Sequence, residues 1–104
     1  MNRNERLSGV RDALAEALGE RFKGVVLYGS EARGEADADS DIDLLVLLDG
    51  PPEDPRDSWA CIHALYPLIL KWGRPIHVEP VDAAAYEAGE YPLYRTAARE
   101  GIRA

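Results

Sequence analysis

Hydrophobic and polar positions along this chain follow periods that change from one segment to the next. Between residues 4 and 19, apolar residues recur every three or four positions with charged residues between them, which predicts an amphipathic helix: Leu7, Val10, Leu14 and Leu18. Residues 25–28 and 42–48 are short, uninterrupted apolar runs typical of buried strands. The second run is apolar enough to predict a central strand that is covered on both faces.

The second half of the chain predicts one more strand and further helices. A helix is expected to begin at Ser58 or Asp57 and to end near Gly73, with Pro67 predicting a kink. We expect one broad apolar face on this helix, made of Trp59, Ile62, Leu65, Tyr66, Ile69 and Leu70. In residues 76–81, polar and apolar positions alternate with the period of a strand. Residues 83–88 predict one or two helical turns, and residues 92–101 a final helix.

The order of these elements predicts a small α/β (α+β) fold, with helices covering a mixed sheet of three or four strands. A chain of 104 residues, 46% of them hydrophobic and 30% charged, has the composition of one globular domain spanning residues 1–104. Its single cysteine, Cys61, excludes an internal disulfide and is expected to be a small buried hydrophobe. Layered folds of this kind support unrelated reactions, so the fold alone does not predict an activity.

The charge of the chain narrows the classes of partner. With 12 Lys and Arg against 19 Asp and Glu, the net charge is −7 at pH 7, which argues against direct nucleic-acid binding. No apolar run approaches the roughly 18 residues of a membrane-spanning helix, and the polar start does not resemble a signal peptide. We therefore expect a cytoplasmic protein with no membrane association.

Four residues in the middle of the chain suggest a phosphate and metal site. Asp41 and Asp43 open the second predicted strand, where residues two apart share one face at about 6.6 Å of rise. Their carboxylates are the oxygen ligands that Mg²⁺ prefers, and two such ions assist phosphoryl transfer. Gly29 and Ser30 end the first strand ten residues earlier, and a glycine turn opening a helix exposes N–H groups to phosphate oxygens. We expect one helical turn over residues 30–34, capped by the Ser30 hydroxyl.

This pattern resembles the minimal nucleotidyltransferases of the DNA polymerase β superfamily, whose signature is Gly-Ser, ten residues, then Asp-x-Asp. The resemblance covers nearly the whole chain and implies a nucleotidyltransferase fold. By that resemblance, Gly29 and Ser30 bind a nucleoside triphosphate, and Asp41 and Asp43 bind Mg²⁺ and act in catalysis. The implied products are a nucleotidylated acceptor and pyrophosphate.

Four further residues bear on the chemistry expected at this motif. Many family members carry a third acid on the third strand, where this sequence offers Glu79 as catalytic base or ligand. Alignment on the following Pro-Val pair instead places His77 at that position, so both residues stay open. Arg33 is a candidate phosphate contact, and Glu31 adds a negative charge beside the expected phosphate site.

The resemblance also implies a partner. A chain of this length is not expected to hold a second domain for the acceptor, so we expect another protein to complete the acceptor site. Small members of the family often pair with a HEPN toxin and transfer AMP from ATP to it. The alternative is a catalytically weak module that masks or senses for a partner protein. Either a homo-oligomer or a hetero-oligomer fits the sequence.

Overall fold

The fold is described by a computed structural model for residues 2–104. Nine helices and strands follow one another, with a 3₁₀ turn at Gly19–Arg21 after the first helix. They are α1 (Arg3–Leu18), β1 (Phe22–Tyr28), α2 (Gly29–Arg33), β2 (Ile42–Leu48), α3 (Arg56–Trp72), β3 (Ile76–Asp82), α4 (Ala83–Ala88), α5 (Pro92–Glu100) and β4 (Ile102–Arg103). No helix within residues 2–104 has both the length and the apolar character needed to cross a membrane.

The strands form one mixed sheet in the order β3-β2-β1-β4. β2 runs parallel to β3 and antiparallel to β1, while β4 pairs antiparallel with β1. The predicted mixed sheet covered by helices is therefore confirmed. β2 has a strand on each side and buries every residue from Leu44 to Leu48 completely, as its uninterrupted apolar run predicts.

The two faces of the sheet carry different helices. The face formed by Val25, Leu27, Leu44 and Val46 packs against α1 and α3, and we call it the α1/α3 face. The face formed by Val26, Leu45, Leu47 and Val81 packs against α4 and α5, and we call it the α4/α5 face. Because strand side chains alternate, Asp43 lies on the α4/α5 face with Leu45 and Leu47.

The structure corrects the prediction for α3. Leu65 is completely buried against the α1/α3 face, together with Cys61, which is buried as expected. Four other members of the predicted apolar face lie on the opposite side of the helix and are exposed: Trp59, Ile62, Tyr66 and Leu70. The single broad face is therefore wrong, because α3 is apolar on two opposite sides.

The start of α3 also differs from the prediction. Its N-cap is Pro55, with no capping side chain, so neither Ser58 nor Asp57 caps it. The buried Asp57 carboxylate instead accepts two hydrogen bonds of 2.8 Å from Arg21 and one of 2.7 Å from the Glu53 amide. This bonding lowers the pKa of Asp57 to about 2. The ion pair between Arg21 and Asp57 connects the start of α3 to the 3₁₀ turn before β1.

Candidate active site

The candidate site lies at the end of the sheet where β1 stops and β2 starts. The two strands are antiparallel, and the register pairs Tyr28, the last residue of β1, with Asp43. The residues that follow β1 and those that precede β2 therefore meet at one edge of the sheet. This pairing brings Gly29 next to Asp43, although they are 14 positions apart in the sequence.

Gly29 gives the Asp43 carboxylate the space it occupies. A Cβ atom built on Gly29 would lie 2.6 Å from Oδ2 of Asp43, far inside van der Waals contact. The φ angle of Gly29 is +75°, in the left-handed region that favours glycine. Both the backbone and the neighbouring carboxylate therefore require glycine at this position.

The short helix α2 begins at Gly29, one residue earlier than predicted. Its N-cap is Tyr28 and no side chain caps it, so the expected capping by the Ser30 hydroxyl is wrong. Arg33 ends the helix on the surface, where its guanidinium lies 3.4 Å from Glu35 and 3.8 Å from Glu100. The role of Arg33 in phosphate binding stays a prediction.

Asp41 and Asp43 differ in their surroundings. Asp43 is half-buried inside β2, whereas Asp41 is exposed and precedes the strand by one residue. Burial raises the pKa of the Asp43 carboxyl, and the charge of Asp41 raises it further while His77 opposes the shift. Two carboxylates in this relation repel each other, so a cation bound between them would relieve the repulsion.

The structure separates the two candidates for the third position. In the parallel pairing of β2 with β3, His77 is the register partner of Asp43, whereas Glu79 is the partner of Leu45. Glu79 lies on the same face one step further along the strand. Burial raises the pKa of Tyr28, and the charges of Asp43 and Glu79 raise it further. Both side chains are exposed, so the role of Glu79 stays a prediction.

Glu31 does not present an uncompensated negative charge, contrary to the expectation from the sequence. Its carboxylate is almost completely buried and lies 2.7 Å from the Arg6 guanidinium and 2.8 Å from that of Arg74. These hydrogen bonds, that of Arg74 foremost, lower the pKa of Glu31. The residue after Ser30 therefore anchors α2 to the rest of the molecule.

Arg74 is a residue beside the candidate site that the sequence did not indicate. Besides its bond to Glu31, its guanidinium donates to the carbonyl oxygen of Ser40 at 3.1 and 3.2 Å. Arg74 thus connects the residue after Ser30 with the residue before Asp41. It is 43 positions from Glu31 in the sequence, and no local pattern links residues so far apart.

The donor set fits a magnesium ion that is shared with a substrate. Within residues 2–104, no three side chains of His, Cys, Asp or Glu converge as a complete metal site. Mg²⁺ is commonly bound through one or two carboxylates together with substrate phosphates and water, which matches the pair Asp41 and Asp43. A cleft of about 640 Å³ lies beside Glu31 and Arg74, but Asp41 and Asp43 are not among the residues that line it.

Comparisons with known proteins identify the family and show a similar fold. The family described as nucleotidyltransferase domain matches residues 7–95. No curated protein matches the chain. Among solved structures, a toxin-antitoxin with AMP-PNP has a TM-score of 0.68 at 15% identity. The match covers 93% of this chain and 70% of the other chain.

Two mutants of the toxin-antitoxin MntA-HpeT are also similar. One has a TM-score of 0.62 at 18% identity, and the match covers 100% of this chain and 72% of the other chain. The other has a TM-score of 0.63 at 16% identity, with coverage of 99% and 72%. At these identities the structures show the fold alone, and the roles of Gly29, Ser30, Asp41 and Asp43 stay predictions. The chain therefore belongs to the nucleotidyltransferase domain family.

Proposed function

We propose that this nucleotidyltransferase transfers AMP from ATP to a hydroxyl group of a protein partner in a Mg²⁺-dependent reaction. The observation that carries the proposal is the contact between the Gly29 turn and the Asp43 carboxylate. It brings a turn with the chemistry to bind phosphate against a carboxylate with the chemistry to bind a metal. The similar toxin-antitoxin structure with AMP-PNP, an analogue of ATP, supports the choice of nucleotide.

The roles of the chain's own residues follow from their placement. The backbone N–H groups at Gly29 and Ser30 bind phosphate oxygens of the nucleotide. Asp41 and Asp43 hold Mg²⁺, which when bound neutralises charge on the phosphates. Arg33 is a further phosphate contact if it exchanges its exposed acidic partners for the nucleotide.

The reaction forms one bond and breaks one bond at the α-phosphorus. The acceptor oxygen bonds to this phosphorus, and the bond to the bridging oxygen of pyrophosphate breaks. The proton of the acceptor hydroxyl passes to a base on β3, for which Glu79 is the proposed carboxylate and His77 the alternative. Both are exposed on the α4/α5 face, where an acceptor can approach Asp43.

A protein partner accounts for the acceptor. The three similar structures are toxin-antitoxin complexes by description, and the family resemblance indicates a HEPN toxin as the partner. The net charge of −7 favours association with a basic protein. We therefore propose an antitoxin role, with the partner supplying the hydroxyl group.

The test is transfer of label from [α-³²P]ATP to a co-expressed partner, with thermal unfolding as an independent readout. Mg-ATP at about 100 times its dissociation constant adds about 2.7 kcal/mol of stability, which raises the midpoint by several degrees. We expect this rise and the labelling in the native protein and neither in Asp43→Ala. If Mg-ATP does not raise the unfolding midpoint of the native protein, with or without its partner, the proposal is wrong.

The position of His77 supports a second candidate function. If the register partner of Asp43 cannot serve as the third acid, the domain could bind and mask its partner without turnover. In that case Asp43→Ala would still neutralise the partner in cells. Loss of neutralisation in Asp43→Ala, with binding to the partner retained, would identify the catalytic function.

A further inference from the structure

One side of α3 exposes large apolar side chains to solvent. The exposed fractions are 59% for Trp59, 40% for Ile62, 54% for Tyr66 and 65% for Leu70. His63 and Pro67 are exposed between them, and a shallow groove of about 410 Å³ is lined by five of these six residues. We call this surface the exposed α3 face: Trp59, Ile62, His63, Tyr66, Pro67 and Leu70.

The exposed α3 face also lacks formal charge. Residues 58–70 contain no Asp, Glu, Lys or Arg, in a chain of which 30% is charged. The buried side of the same helix already supplies the contacts to the core through Cys61 and Leu65. A helix with one buried side normally carries charged and polar residues on the other. The second apolar side is therefore not explained by folding of the single chain.

The spacing of the exposed α3 face is self-complementary. Its members are symmetric about the point between residues 64 and 65, so an antiparallel copy of the helix would pair them around a twofold axis. The pairs would be Trp59 with Leu70, Ile62 with Pro67 and His63 with Tyr66. Contacts in a twofold interface are reciprocal. If Trp59 of one copy contacts Leu70 of the other, Leu70 of the first copy contacts Trp59 of the second.

We propose that a second copy of this chain covers the exposed α3 face, forming a symmetric dimer through antiparallel α3 helices. At roughly 150–250 Å² per large side chain, the four exposed fractions amount to about 400 Å² of apolar surface per copy. With His63 and Pro67 included, the total for two copies approaches the roughly 1,000 Å² of a specific interface. An interface at this lower limit of size is expected to be weak and reversible.

The location of this surface favours a second copy over the acceptor protein. α3 packs on the α1/α3 face of the sheet, whereas Asp43, His77 and Glu79 lie on the α4/α5 face. A partner seated on the exposed α3 face would have the whole sheet between itself and the carboxylates. The dimer therefore leaves both candidate active sites open.

The test is sedimentation of the purified full chain over a range of about 1–500 µM. We expect the mass to rise from 11.5 kDa toward twice that value. Tyr66→Glu should hold the protein at 11.5 kDa, because it places two like charges close to the twofold axis. Tyr91→Glu is the matched control, since Tyr91 on the other side of the sheet is equally exposed, at 58%, and should leave the mass unchanged.

Salt provides a second measurement that does not depend on a variant. Each copy carries a charge of −7, so adding salt screens repulsion and should not weaken an apolar dimer.

A native protein that stays at 11.5 kDa up to 500 µM overturns the proposal, as does a dimer that persists in Tyr66→Glu. A monomer whose α3 residues become protected only when the acceptor protein is added overturns it in favour of that partner.

Discussion

Oδ2 of Asp43 lies in the space where a side chain at position 29 would begin, 2.6 Å from the position of its Cβ atom. The turn proposed to bind phosphate and the carboxylate proposed to bind the metal are therefore in steric contact. A change at Gly29 must move Asp43, although Gly29 belongs to α2 and Asp43 to β2.

This contact predicts that Gly29→Ala abolishes the response to Mg-ATP. The added methyl group would push the Asp43 carboxylate away, and alanine at a φ of +75° is also strained by about 1–2 kcal/mol. We expect no Mg-ATP-dependent rise in the unfolding midpoint and a loss of transfer of roughly 100-fold or more.

Gly34→Ala is the matched control for that variant. Gly34 has nearly the same φ, +74°, but no atom lies within 4 Å of a Cβ built there. It should lose similar backbone stability while keeping the response to Mg-ATP. Equal loss of the response in both variants would mean that backbone strain, and not contact with Asp43, explains the effect.

Replacing Asp43 should separate stability from activity. Burial raises the pKa of Asp43 in the folded protein. The protonated carboxyl therefore stabilises the fold at a pH below its pKa in the unfolded chain. This contribution is lost as the pH rises through its pKa in the folded protein. Near pH 7 without metal, we expect Asp43→Asn to unfold at a higher temperature than the native protein. Transfer should fall roughly 100-fold or more, because a metal ligand is lost.

Asp41→Asn is the comparison for this prediction. Asp41 is exposed, so its replacement should reduce transfer without a comparable gain in stability. Thermal unfolding between pH 4 and pH 8 measures both variants, and the advantage of Asp43→Asn should shrink toward pH 4. A lower midpoint for Asp43→Asn at pH 7 would contradict the assignment of a destabilising charge.

The identity of the base on β3 is tested by a pair of variants. If Glu79 accepts the acceptor proton, Glu79→Gln should reduce kcat by roughly 10²–10⁴-fold with little change in the binding of Mg-ATP. His77→Gln should then have the smaller effect on kcat. The reverse order would assign the role to His77, the register partner of Asp43.

Arg74 is expected to position Asp41 relative to α2. Arg74→Ala and Arg6→Ala each remove one charged hydrogen bond to Glu31, and each should cost about 1.5–3 kcal/mol of stability. Only Arg74 also holds the Ser40 carbonyl. We therefore expect Arg74→Ala alone to raise the Mg²⁺ concentration for half-maximal transfer, by roughly tenfold. Similar Mg²⁺ dependence in the two variants would limit Arg74 to a structural role.

The ion pair of Asp57 predicts a specific sensitivity to acid. Its pKa of about 2 lies below the usual value near 3.8, so its stabilisation is present above pH 4 and is lost as pH falls toward 2. The shift corresponds to about 2 kcal/mol. Asp57→Asn should lower the unfolding midpoint by roughly 10 °C at pH 7 and by much less at pH 2.

Asp12→Asn serves as the control for the acid effect. Asp12 is paired with Arg11 at 3.0 Å, but its side chain is 69% exposed, and such surface pairs contribute little to stability. Its midpoint should follow that of the native protein at both pH values. A similar loss in Asp12→Asn would point to general acid sensitivity and not to the Asp57 ion pair.

The sequence predicts the elements that define the candidate site because the relevant signals are local. The apolar run that begins at Ile42 has the same bounds as β2, and the backbone angle of Gly29, at the start of α2, favours glycine. The antiparallel pairing of β1 with β2 then brings Gly29 and Asp43 together. An uninterrupted apolar run and the pairing of two neighbouring strands therefore explain why these residues meet.

What the sequence misses depends on contacts between distant segments. α3 is apolar on two opposite sides, so its pattern does not indicate which side is buried and groups Leu65 with the exposed Tyr66. The charge of Glu31 could not be judged without its two arginines, both more than 20 positions away. β4 has two residues, too few for any alternation of polar and apolar positions.

The different settings of Asp41 and Asp43 have a consequence for the thermodynamics of binding. Asp43 belongs to the central strand, whose fixed backbone preorganises its carboxylate before any ligand arrives. Asp41 stands outside the strand and keeps its rotational freedom, which a bound metal must remove. The entropy of that ordering makes the metal alone a weak ligand. The nucleotide, which also contacts the Gly29 turn, supplies the remaining free energy, so metal and nucleotide should bind cooperatively.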